Sequence, residues 1–150
     1  MSGWEVFGGG KKELEVEIAR GSKEAMQAWI AQGLPPKTII GAVIGLGDLE
    51  LIQWVHGIYK GKALGVPPLP ASLALGDTSL LEDVCVDADD WHDAMVAYLA
   101  KPVSQDSKIE FIEKCIAKGV TDFDIVLKVS NRCHYFKLLD YYGSTRHSFD

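Results

Sequence analysis

The chain has 150 residues, 47% of them hydrophobic and 24% charged, with a formal net charge of −6. That length and apolar content predict a single folded domain with a real core and exclude a chain disordered throughout. The negative charge opposes phosphate backbones, and the short basic clusters Lys11-Lys12 and Lys60 with Lys62 do not offset it, so no nucleic-acid partner is expected.

The longest apolar stretch, Thr38 to Leu46, is too short to span a bilayer and is interrupted by Gly41 and Gly45. No membrane partner is therefore expected. Met1 to Lys12 has no apolar core behind a positive start, unlike a secretory signal. Cys85, Cys115 and Cys133 are odd in number and far apart, a pattern of reduced thiols that fits a cytosolic or nuclear compartment, and a cytoplasmic location is expected.

Along the chain, residues 1–10 read as a flexible N-terminal arm in which Trp4, Val6 and Phe7 precede Gly8-Gly9-Gly10. Lys11 to Arg20 fits a helix, although the alternation of Leu14, Val16 and Ile18 also fits a strand. Ser22 is placed to cap a helix bearing Met26, Trp29 and Ile30, which Gly33 stops before Pro35-Pro36. Thr38 opens a short apolar helix ended by Gly45 to Gly47, and Asp48 caps a longer one carrying Leu51, Ile52 and Val55. Lys60 to Pro70 is the clearest loop. Short helices follow at Ala71 to Ala74 and Ser79 to Val86. Asp87 to Asp90 form an acidic turn that caps a helix holding Trp91, Met95 and Leu99, which Pro102 ends. Ser107 starts the next helix and Gly119 stops it. Asp122 or Asp124 caps another, Asn131-Arg132 is a turn, and His134 to Tyr142 is the last helix, closed by Gly143. Residues 144–150 read as a mobile tail.

Helices of roughly ten residues joined by turns of a few residues have the rhythm of antiparallel pairs. The fold expected is all-α, a stack of short antiparallel helix pairs filling residues 11–143. There is also an internal echo. Gly33 and Gly119 lie 86 residues apart, and at the same offset Ile30, Ile40, Val43 and Ile52 fall on Ile116, Val126, Val129 and Leu138.

Gly47-Asp48-Leu49-Glu50-Leu51-Ile52-Gln53-Trp54-Val55-His56, preceded by Thr38 to Val43, resembles the helix pair of a divergent ankyrin repeat of the kind common in large DNA viruses and amoebae. The resemblance implies an ankyrin-like α-solenoid in which each pair is covered by its neighbours. It also implies a non-catalytic protein-binding adaptor, viral or host-directed.

No chemical motif competes with that reading. Gly8-Gly9-Gly10-Lys11-Lys12 lacks the earlier Gly and the hydroxyl of a phosphate loop and reads as a linker. Asp87, Asp89, Asp90, His92 and Asp93 could gather a hard cation, but His92 and Tyr98 occupy the sixth and twelfth places of a calcium loop, where Gly and Glu are needed. An acidic helix cap explains the cluster. Adjacent residues on a helix diverge by about 100°, so Cys133-His134 cannot act as nucleophile and base, and the cysteines read as buried and structural. No catalytic residue, metal or cofactor is expected. The expected partner is another protein, contacted through the exposed aromatics Trp4, Phe7, Trp91 and Tyr142. Two other functions fit the sequence, a small structural subunit of a larger assembly and a small-molecule-binding protein or enzyme of unknown class.

Overall fold

A computed structural model describes residues 23–145, and every regular element among them is helical. The arm with Trp4 and Phe7, the Lys11 to Arg20 segment, the Ser22 cap and residues 146–150 lie outside the described residues. The chain divides into two compact units, Met1–Leu69 and Pro70–Asp150, where the sequence reading has one run of pairs from 11 to 143. No helix among the described residues is long and apolar enough to cross a membrane.

Unit 1 holds α1 (Lys23–Ala31), α2 (Pro36–Leu46) and α3 (Leu49–Tyr59), with α2 packed on both neighbours. Pro35 and Pro36 open α2 instead of merely blocking α1: Pro at the first helical position gives up no hydrogen bond, because that N–H has no partner inside the helix. Gly47 then takes φ +71°, a left-handed conformation that is strained for residues with a β-carbon, and its N–H bonds back to Val43 and Ile44. Asp48 caps α3, its carboxylate accepting from the Leu51 N–H at 3.3 Å. The buried side chains include Met26, Trp29, Ile39, Val43, Ile52 and Val55. Trp54 is only half-buried, so truncating it costs less than removing a full core aromatic.

In unit 2, α4 (Leu69–Leu75) begins at the boundary, and a 3-10 turn (Thr78–Leu80) leads into α5 (Leu81–Val84). Four longer helices follow: α6 (Ala88–Leu99), α7 (Gln105–Ala117), α8 (Asp124–Cys133) and α9 (Phe136–Thr145). α7 packs on α6 and α9, while α8 packs on α6 and α9. Asp87 caps α6 by accepting from the Asp90 N–H at 3.0 Å, and the buried Asp90 carboxylate accepts from the Val86 N–H at 2.9 Å. The acidic cluster is thus the helix cap expected of it.

Several boundaries differ from the sequence reading: α2 opens at Pro36 and runs through Gly45 to Leu46, and α9 starts at Phe136, with His134 in the turn before it. α7 starts behind Ser104, whose hydroxyl accepts from the Ser107 N–H at 3.1 Å, so Ser107 is the third residue inside the helix. Asn131-Arg132 is no turn: α8 continues to Cys133 because Val126, Val129 and Ser130 keep one face buried. α9 runs through Gly143 to Thr145, and the Ser144 hydroxyl donates to the Asp140 carbonyl at 2.8 Å, so the first two residues assigned to the tail are helical.

The internal echo is matched in backbone geometry. Gly33 has φ +94° and Gly119 φ +92°. After the first, Leu34 N–H reaches the Trp29 carbonyl at 3.0 Å; after the second, Val120 N–H reaches the Cys115 carbonyl at 3.1 Å. Both Leu34 and Val120 are buried directly after the stop, which turns each chain into its next helix. The stops after α1 and α7 are therefore built alike, although the helices around them pack differently: α2 packs on α1 and α3, whereas α7 packs on α9 more than on α8. The second turn comes one residue later, at His134 where strict correspondence with Gly47 would place Cys133.

Candidate functional site

The α8–α9 turn is built from the inside outwards. At its base lies Lys108 on α7, a fully buried side chain. Its ammonium donates to the Lys101 carbonyl at 2.7 Å and the Val103 carbonyl at 3.0 Å and lies 5.2 Å from the centre of the Tyr135 ring. Burial disfavours the charged form and lowers the Lys108 pKa. Gln105 adds a second tie, its Oε1 accepting from the Leu138 N–H at 3.0 Å. The start of α7 thus grips the start of α9 and fixes the α8–α9 turn.

The turn itself is formed by His134 at φ +56°, the one described residue other than glycine with positive φ. Its N–H and that of Tyr135 both return to the Ser130 carbonyl, the latter at 2.9 Å, which satisfies the end of α8. A side chain in this conformation costs about 1–2 kcal/mol. His134→Gly is expected to raise stability by about 1 kcal/mol in urea unfolding, since glycine relieves that strain at a small entropic cost. A fall in stability would mean that the imidazole itself holds the turn.

The turn projects Cys133, His134 and Phe136 outwards. Phe136 is 69% exposed, with its ring centre 6.3 Å from that of His134. Leu138, two positions on, is fully buried, and a two-residue step on a helix rotates the side chain by about 200°, so the phenyl ring must face solvent. This arrangement offers an apolar ring beside an imidazole on a braced support, the kind of anchor that fills a pocket on a partner surface.

The sequence-predicted contact residues do not gather here. Trp4 and Phe7 lie outside the described residues. Trp91 is a correction: it is 3% exposed and belongs to the core of unit 2. The ammonium groups of Lys114 and Lys118 lie 5.8 and 5.3 Å from the centre of its ring, and Glu82 pairs with both at 3.2 and 2.8 Å, closing the surface above the indole. Tyr142 is half-buried on α9. The cysteines divide three ways: Cys115 is buried, Cys85 half-buried and Cys133 exposed, so the expectation of buried thiols holds fully only at Cys115 and fails outright at Cys133. Phe136 and His134 are the residues the sequence reading missed. The register of α9 relative to Leu138 was the available signal for Phe136.

Comparison with protein-family models, with curated proteins and with solved structures finds no match for this chain.

Proposed function

We propose that the chain is a non-catalytic protein-interaction module of ankyrin-like helix pairs and that it binds its partner through the α8–α9 turn. The observation carrying this reading is Phe136, an aromatic ring left 69% exposed beside a non-glycine residue held in a strained left-handed turn. Strain maintained at a surface position is more often tied to use than to stability. The ankyrin-like part is supported by the two-residue turns Gly47-Asp48 and His134-Tyr135 and by the recurring glycine stop, features of stacked helix pairs.

Affinity capture from the source cells tests the proposal. The wild-type chain should retain a protein that Phe136→Asp loses by more than about tenfold, as expected for a central aromatic anchor. Leu75→Asp, an equally drastic change at another exposed apolar position, should retain it. Equal capture by wild type and Phe136→Asp would remove the turn as the contact site.

A further inference from the structure

The two ends of unit 2 differ in charge. α6 and α7 run antiparallel: the Tyr98 and Phe111 rings stack at 4.3 Å, the Cys115 thiol approaches the Trp91 carbonyl at 3.7 Å, and Ala88 lies beside Gly119. One end therefore collects the start of α6, the end of α7 and, through His92 and Asp122 at 3.8 Å, the approach to α8. The other collects the start of α7, the end of α8 and the start of α9, as the Lys108–Tyr135 and Gln105–Leu138 contacts require.

Val86, 72% exposed, occupies the first end, and Phe136, 69% exposed, the second. They are the two most exposed large hydrophobic side chains among the described residues. Exposed Asp83, Asp87, Asp89, Asp122 and Asp124 make the Val86 end acidic, and the lysines nearby, Lys114 and Lys118, are engaged by Glu82. The Phe136 end carries exposed Arg132 and Lys137, with half-buried Lys101 behind them donating to the Gly76 carbonyl at 3.1 Å, against Asp106, which pairs with Lys137, and Asp140 one turn further along α9. The 13 residues of α7 separate the two ends by about 18 Å, beyond the reach of a side chain. The two patches complement one another and cannot meet within one molecule.

We propose that unit 2 associates head to tail with a second copy of the chain, Phe136 of one copy docking beside Val86 of the next. This rests on the reading of the α8–α9 turn as the contact surface and names the partner as the chain itself. The interface is heterologous, because one copy contributes its basic end and the other its acidic end. Repetition gives a ring if the rotation closes and an open chain if it does not. Opposite charges around two apolar side chains make the association fast to form and sensitive to salt.

Sedimentation velocity of the full chain across a concentration series tests the idea. The average mass should rise with concentration at about 50 mM salt, and about 500 mM salt should weaken association by at least tenfold. Val86→Lys and Phe136→Asp should each remain monomeric alone, with unchanged circular dichroism. Mixed one to one, they should form dimers, because each pair regains one wild-type interface. Should Phe136→Asp misfold, Arg132→Glu on the same end replaces it, and should Val86→Lys misfold, Asp89→Lys on its end does, each with a weaker but still measurable loss expected. A chain that stays monomeric throughout, or variants that associate as wild type does, would overturn the proposal. So would assembly by wild type with no dimer in the mixture, since that marks a symmetric interface. Capture of a different protein that Phe136→Asp abolishes, with the chain itself monomeric, would overturn self-association and leave the interaction-module reading standing.

Discussion

Lys108→Ala is expected to lower stability by about 3–5 kcal/mol in urea unfolding followed by circular dichroism. Two losses combine. The buried four-carbon stem is replaced by a cavity at the junction of α7, α8 and α9. The Val103 carbonyl, 3.0 Å from the ammonium, also loses its donor. Lys101 is less affected, because its carbonyl still accepts from the Val103 N–H at 2.8 Å. Lys108→Met separates the two effects. It refills the volume and removes the hydrogen bonds, and the cost of burying an ammonium disappears with the charge, so the net loss should be only about 1–2 kcal/mol. An alanine variant as stable as wild type would show that the ammonium is hydrated in solution and does not brace the turn. The same substitution should weaken partner capture beyond its effect on folding, since Tyr135 and the turn that presents Phe136 rest on this side chain.

The features legible in the sequence were those governed by short-range stereochemistry. Asp48 and Asp87 announce helix starts because a short carboxylate just before an apolar run can reach the free N–H groups of the first turn. Gly33 and Gly119 announce stops because the left-handed step there favours a residue without a β-carbon. The sequence points to Ser107 instead of Ser104 because Gln105 and Asp106 add no apolar periodicity to mark the first turn. The turn at His134 was misplaced because a non-glycine residue took the left-handed step, which no composition signal marks. Trp91 and Phe136 show the larger gap. Both are aromatic residues near helix starts, and only tertiary neighbours decide their fates. Lys114 and Lys118, more than twenty positions away, close over the one; the burial of Leu138 turns the other out. The burial of Lys108 has no signal in the sequence, because it depends on carbonyls of the preceding loop and on a ring of the α8–α9 turn.

The alkaline limit of unit 2 should be set largely by Cys115. Its thiol is fully buried, and burial, with a smaller contribution from Cys85 and against the opposing effect of Lys114, pushes its pKa from 9.0 up to about 12. In the unfolded chain the same thiol ionises at its ordinary value. Below pH 9 both states hold the proton, and the full stability is present. Above it the unfolded chain releases the proton and the folded chain does not. Stability then falls by about 1.4 kcal/mol for each pH unit until the folded thiol ionises near 12. Lys108 acts in the opposite sense. Its folded pKa lies below the ordinary 10.5, so the unfolded chain binds the extra proton between the two values, and stability gains there as pH rises. Tyr59, raised from 10.0 by burial, acts in the same direction as Cys115 but belongs to unit 1. The difference between wild type and Cys115→Ala isolates the thiol from both. Urea midpoints measured from pH 8 to 11 should fall more steeply for wild type, and the two curves should converge as pH rises, even though alanine is the less stable at pH 8 through lost packing. Parallel curves would mean that the thiolate is reached by water in the folded state and that the contact with the Trp91 carbonyl does not seal it.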